Sequence, residues 1–164
     1  GRGWANLSNA PFRMYKRYTH EGGVSTPLIV HWPAGLKGKG ELRHAPSHLI
    51  DVAPTCLAAA GLSGKGMEGR SLLPVFAKDS KKQRTLYWEH EGNRAVRKGN
   101  YKLVAMHETP WELYDMSKDR SELKNLSSAM PGKTRELRTA YEAWAKRVGA
   151  EPWDEIKVKK KKKK

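Results

Sequence analysis

Ala95-Val96-Arg97-Lys98-Gly99-Asn100-Tyr101-Lys102-Leu103-Val104-Ala105-Met106 decides how the second half of the chain folds. Two short runs rich in β-branched and aromatic residues meet at Lys98-Gly99-Asn100, a hairpin turn signal. From Thr85 the apolar pattern takes period two, as expected when alternate side chains of a strand point to opposite faces. Thr85 to His90 lies before this hairpin and Trp111 to Asp115 after it. Together with Ala95 to Lys98 and Tyr101 to Met106, they predict a small antiparallel sheet. Downstream the period changes. Leu137, Tyr141, Trp144 and Val148 recur at i, i+4, i+7 and i+11, one face of a helix over 131–148. Pro131 suits its first turn, and Gly149 and Pro152 end it.

Upstream, residues 1 to 26 lack apolar periodicity and predict a loop. Gly22 and Gly23 close it, a pair that permits positive φ and close backbone approach. Pro27-Leu28-Ile29-Val30-His31-Trp32, closed by Pro33, predicts a short buried strand. Ala34 to Glu41 is a glycine- and lysine-rich loop. Asp51 can cap a helix that tolerates Pro54 in its first turn and stops at Gly61. The predicted fold class is the end of an α/β domain followed by a small α+β subdomain with an antiparallel sheet and a terminal helix. The expected division is 1–70, 71–150 and a lysine-rich, disordered tail over 151–164.

Charge is uneven. Of the formal net charge of +15, seven positive charges fall in the last eight residues, Lys157 and Lys159 to Lys164, which leaves about half on the body. A lysine run repels itself and predicts a solvated tail, with non-specific contact to polyanions as its candidate partner role. With 38 % hydrophobic residues, six Trp and six Tyr, the chain can bury a modest core. The one cysteine, Cys56, excludes an internal disulfide, and its expected place is a small core position. No apolar run approaches the roughly 18 residues of a membrane helix.

The strongest chemical cluster is Arg13, Lys16, Arg17 and His20, just before Glu21-Gly22-Gly23. Cations on a glycine-supported loop suit an anion such as sulfate or phosphate, and a plain basic surface loop has the same composition. His44 and His48 have the spacing of two zinc ligands on a helix, with no third ligand evident. Glu89-His90-Glu91 on a strand would put His90 on the face opposite the two carboxylates. Trp88, Trp111 and Trp144 fit core positions. Gly64-Lys65-Gly66 lacks the spacing of a phosphate-binding P-loop.

The stretch Asn9 to Val24, with Lys16 ahead of Glu21-Gly22-Gly23-Val24 and with Pro27 following, resembles a segment of arylsulfatases. Leu28 to Pro33 is similar to that family's strand ending in Trp-Pro. His48 to Thr55 with Ala60-Gly61 is similar to its next helix, and Gly69-Arg70-Ser71-Leu72-Leu73-Pro74 follows in family order. Ala95 to Leu103, Trp111-Glu112-Leu113-Tyr114-Asp115 and Glu122-Leu123-Lys124-Asn125-Leu126 resemble its carboxy-terminal part. The resemblance covers residues 9 to about 148.

It implies the carboxy-terminal part of a formylglycine-dependent sulfatase of the alkaline-phosphatase superfamily. Lys16 is then expected to contact a sulfate oxygen, with Arg13 and His20 as further substrate-binding candidates and a sulfate ester, small or glycan-borne, as substrate. Glu21, Gly22 and Gly23 would shape the loop. Calcium and formylglycine are the implied cofactors of an intact parent, and none is expected on this chain. Cys56 departs from Cys-x-Pro-Ser/Ala-x-Arg because Ala58 stands at the proline position. The isolated chain is expected to be inactive. The resemblance also implies a periplasmic or extracellular setting. The alternatives are a related phosphoesterase or phosphonate hydrolase and a basic module that binds polyanions through Lys157 to Lys164.

Overall fold

A computed structural model describes residues 1–38, 40–80 and 84–156. The lysine run from Lys157 lies outside the described residues. The chain forms two compact units, Gly1–Thr26 joined with the chain from Thr85, and Pro27–Arg84. The grouping does not follow the expected division at residue 70. Residues 1–26 belong with the sheet because Arg13, His20 and Glu21 bond to residues 112–122.

The first unit is built on a four-stranded antiparallel meander: β1 (Thr85–His90), β2 (Asn93–Lys98), β3 (Tyr101–Ala105) and β4 (Glu112–Asp115), in that spatial order. The first two hairpins have two-residue turns. His90 pairs with Asn93 around Glu91-Gly92, and Lys98 pairs with Tyr101 around Gly99-Asn100. Glu91 and Gly92 both have positive φ, 52° and 81°, the left-handed geometry that matches the twist of a tight hairpin. Glu91 is therefore a turn residue and does not share a strand face with Glu89.

Register divides the sheet into two faces. Val96, Leu103 and Leu113 lie on one, where the helix α1 (Pro131–Val148) packs Leu137 and Tyr141 against them. Leu137 and the three strand residues are fully buried. Tyr87 stacks on Trp144 at 5.0 Å, and Trp111 meets Tyr141 edge-on at 5.3 Å. Gly149 ends α1 in the left-handed conformation, φ 69°, with Lys146 and Arg147 in the last turn where the helix dipole favours cations. Trp88, Ala95, Val104 and Tyr114 lie on the other face with Met116. That face also carries Lys102, paired with Tyr114, and Glu112, paired with Val104.

The second unit contains a single 3₁₀ turn (Leu49–Asp51), α2 (Val52–Ala59) and α3 (Leu73–Ala77). Two expectations fail here. Residues 27–32 form no strand, and Leu28, Ile29 and Val30 are exposed at 56, 88 and 39 %. A strand needs a ladder partner for its backbone, and the described residues of this unit offer none. Cys56 is exposed rather than buried in a core. The helix after Asp51 is present, with Gly61 at φ 73° beyond its end. Asp51 does not cap it through its side chain. Its fully buried carboxylate is gripped by Arg84 at 2.6 and 3.0 Å and by the backbone N–H groups of His48 and Arg70. Burial pushes the Asp51 carboxyl up, but the Arg84 and backbone hydrogen bonds outweigh it, and the net shift is downward.

No described helix is long and apolar enough to cross a membrane.

Candidate functional site

Residues 12–20 cross the second face of the sheet as an irregular loop that runs into a single helical turn, Glu21–Val24; with a short helix at Arg2–Ser8, the chain up to residue 26 departs from the loop expected there. The shape of the loop is set by backbone contact. A Cβ on Gly22 would run into the carbonyl oxygens of Met14 and Arg13, and one on Gly23 into those of Tyr18 and Tyr15. Gly22 N–H donates to the Arg13 carbonyl at 2.9 Å. The paired glycines therefore serve close approach. Neither has the positive φ that the sequence allowed.

Two non-glycine residues do have positive φ, Met14 at 66° and Arg17 at 95°. L-residues avoid this region because of Cβ–carbonyl crowding, and each such residue costs on the order of 1–3 kcal/mol. They bracket Tyr15-Lys16. A loop bent this way persists only when its surroundings hold it.

The surroundings are polar. Arg13 Nη1 donates to the Tyr114 hydroxyl at 2.8 Å and to the Glu122 carbonyl at 2.8 Å. It also lies 3.4 Å from Glu112 Oε2. Tyr114 donates its hydroxyl to the same Glu112 oxygen at 2.8 Å, and His20 Nε2 lies 3.2 Å from it. A carboxylate only accepts, so Nε2 carries the ring hydrogen of His20. Burial lowers the His20 pKa and outweighs the pull of Glu122 and Glu112, so the ring is neutral. Its Nδ1 has no hydrogen-bond partner among the described residues. Burial would raise the Glu112 carboxyl, but the hydrogen bonds from Tyr114 and His20 and the Arg13 charge hold it below its usual value.

Farther along, Glu21 is buried. Its N–H donates to Glu122 Oε2 at 2.8 Å, and its carboxylate receives Lys102 at 3.0 Å and Arg120 at 3.2 Å. Burial pushes the Glu21 carboxyl up, and the charges and hydrogen bonds of Lys102 and Arg120 more than reverse it.

Thus the four basic residues of the sequence cluster separate. Arg13 and His20 are turned into the protein as anchors. Arg17 is ion-paired with Glu91 at 2.7 Å on the surface. Lys16 is exposed and has no hydrogen-bond or ion-pair partner among the described residues. Anchors stand on both sides of it, Arg13 before and His20-Glu21 after. Composition had brought Lys16 forward. Lys102, Glu112 and Tyr114 were placed only as strand residues and Glu122 only within the resemblance, and no sequence signal marked them as supports of this loop.

The family model described as N-sulphoglucosamine sulphohydrolase, C-terminal, matches residues 12–143, most of the chain and the whole of this loop-and-sheet arrangement. The chain belongs to this sulfatase family. It is 34 % identical to an uncharacterized sulfatase of Schizosaccharomyces pombe over 84 % of its own length and 28 % of the relative's. It is 32 % identical to the N-acetylgalactosamine-6-sulfatase of Mus musculus over 73 % of its length and 24 % of that protein's. The crystal structure of Ps i-CgsB superposes with a TM-score of 0.72 at 24 % identity, covering 85 % of this chain and 34 % of that one, which shows a shared fold. The chain thus spans about a quarter of the length of the two curated sulfatases and corresponds to a carboxy-terminal part of this family.

Calcium and formylglycine are the groups that the resemblance implies for an intact parent, and the described residues show no side-chain set that fits either. Cys56 sits within α2 with Ala58 two positions on, outside the oxidation motif. Among the described residues one group of three ligand-type side chains converges, His107, Glu108 and Asp154, with ligand atoms within 4.8 Å of one another. It is surface-placed and includes an imidazole, whereas calcium takes oxygen ligands. His44 and His48 belong to no such group among the described residues.

Proposed function

We infer that this chain supplies the sulfate-contacting lysine of a sulfuric ester hydrolase, and that the lysine is Lys16. One observation carries the proposal: of the four clustered basic residues, Lys16 alone is unpartnered among the described residues, on a loop anchored at both ends. A compact ammonium is a strongly hydrated point charge that can neutralise sulfate oxygens, and its effect grows as charge builds on the departing group. Arg13 and His20 serve this reading as positioning residues, since their polar atoms face Glu112, Tyr114 and Glu122. The substrate class is a sulfate ester, small or glycan-borne, in line with the sulfated amino sugars in the names of the relatives. Calcium and formylglycine would be held by residues other than those described.

Two outcomes follow. The purified 164-residue chain does not hydrolyse an aryl sulfate, and robust turnover would sink the proposal. In a polypeptide joining this chain to a sulfatase portion that carries the oxidation motif, Lys16→Ala lowers kcat/KM by about 10²-fold or more, the usual loss on removing one preorganised charge stabiliser. An unchanged kcat/KM would assign Lys16 to the surface alone.

A further inference from the structure

Lys102 is the least expected residue of the sheet. It is fully buried on β3, where a strand facing a core would carry an aliphatic side chain. Its Nζ lies 3.0 Å from Glu21 Oε1 and 2.9 Å from Glu122 Oε1. Glu122 Oε1 accepts no aligned hydrogen bond, so it is held to Lys102 by charge. Glu122 is itself fully buried, with a left-handed backbone at φ 56°. Its two ends hold the loop at two places. The carbonyl oxygen receives Arg13, three residues before Lys16, and Oε2 receives the N–H of Glu21, five residues after it. Arg120 closes the group by reaching Glu21 Oε2 and Ser25 Oγ.

Stability does not explain this choice of residues. A well-packed aliphatic cluster commonly stabilises as much as a buried ion pair, because desolvation offsets the Coulombic gain. The α1 side of the same sheet shows the aliphatic solution. What charge adds is direction: each carboxylate lone pair demands a partner in place, which selects one loop conformation over others. A loop strained at Met14 and Arg17 needs such selection.

We propose that the buried Lys102–Glu122 pair is the positioning device of the anion site: it fixes the conformation from which Lys16 is presented, without touching the anion. This deepens the Lys16 reading and rests on it for the identity of the anion.

Amide hydrogen exchange of the full chain tests the device directly. Glu122→Gln keeps the side-chain shape and an acceptor oxygen and removes the charge. Lys102→Met keeps the stem and removes the ammonium. In both, exchange over residues 13–24 rises about 10-fold or more, as a local opening does when its anchors weaken, while β2, β3 and α1 stay protected. Unchanged exchange over 13–24 would overturn the proposal. So would equal loss of protection in the loop and in α1, which marks a purely global role. Should both variants fail to fold, Glu122→Asp decides: it keeps the charge, retracts it by one methylene, and must loosen 13–24 selectively.

A sulfate titration at constant ionic strength, followed on the amides of Tyr15 to Arg17, links the device to the anion. Glu122→Gln weakens apparent sulfate affinity by about 10-fold, and Lys16→Ala abolishes the response. Sulfate affinity unchanged in Glu122→Gln would overturn the proposal even if exchange rises. A wild-type response that survives Lys16→Ala would instead defeat the Lys16 reading, while the exchange result still decides what Glu122 does to the loop.

Discussion

The two units bury apolar residues to different extents. In the first, Val96, Leu103, Val104, Leu113 and Leu137 are fully buried, and both faces of the sheet are covered. In the second, Leu28, Ile29, Leu49, Ile50, Val52 and Leu62 are exposed, between 38 and 88 %. Burial of a Leu or Ile contributes about 1.5–3 kcal/mol, so the first unit draws stability from its own chain and the second draws little from these residues. What the second unit does own is one buried ionic node, Asp51 with Arg84 and two backbone N–H groups. The lesson is that folding and site-building are concentrated in the sheet, the terminal helix and the loop of residues 12–24.

The largest contrast should come from charge deletion. Lys102→Ala leaves buried Glu122 without its cation and Glu21 with Arg120 alone, and should destabilise the first unit by about 3–5 kcal/mol in urea unfolding. Arg84→Ala should cost the second unit a similar amount, about 3–5 kcal/mol, because the buried Asp51 carboxylate then keeps its backbone N–H donors but loses its ion-pair partner. Equal insensitivity of both would remove the ionic nodes from the comparison. Leu103→Ala, in the apolar core, should cost about 2–5 kcal/mol, whereas Ile29→Ala, at 88 % exposure, should change stability by less than about 0.5 kcal/mol. An Ile29→Ala cost near that of Leu103→Ala would break the contrast.

A smaller effect is expected from pH. His20 faces Glu112, Glu122, Arg13 and Lys102, and its folded pKa lies below the usual 6.5. Between the folded value and about 6.5 the unfolded chain binds a proton that the folded chain does not. His20 therefore contributes stability above pH 6.5 that is lost as pH falls through its folded pKa. Glu21 and Glu112 are also depressed, from 4.5, and add a second loss at lower pH. A His20→Gln chain should lose its share of the first decline in a thermal melt series, leaving the share of His48, whose pKa burial also lowers, and keep the second. A first decline that persists in full would point to another group.

The sheet and α1 could be read from sequence because hairpin turn residues and a seven-residue apolar rhythm are local signals. The bounds of α1, Pro131–Val148, follow from a proline, a periodic face and a glycine at three identifiable positions. Residues 27–32 misled because an apolar run states a need for burial, not whether a partner strand exists. Cys56 misled for the same reason: residue type gives a tendency to be buried, and the surface that would cover it is not local. In the site, Lys16 was legible as one of four clustered basic residues. Which of the four stays free was not, because that depends on Glu112, Tyr114 and Glu122, about a hundred residues away. Lys102 was hidden by the ordinary expectation that a lysine on a strand faces water.

Lys16 is exposed, so Lys16→Ala should leave the fold intact and isolate its chemistry. The most direct measurement is a sulfate titration of the chain against chloride at constant ionic strength, read at the amides of Tyr15, Lys16 and Arg17. Saturable shifts in the wild type that vanish in Lys16→Ala are expected for a sulfate-contacting lysine. Identical shifts in the two proteins, or none that saturate in the wild type, would contradict it.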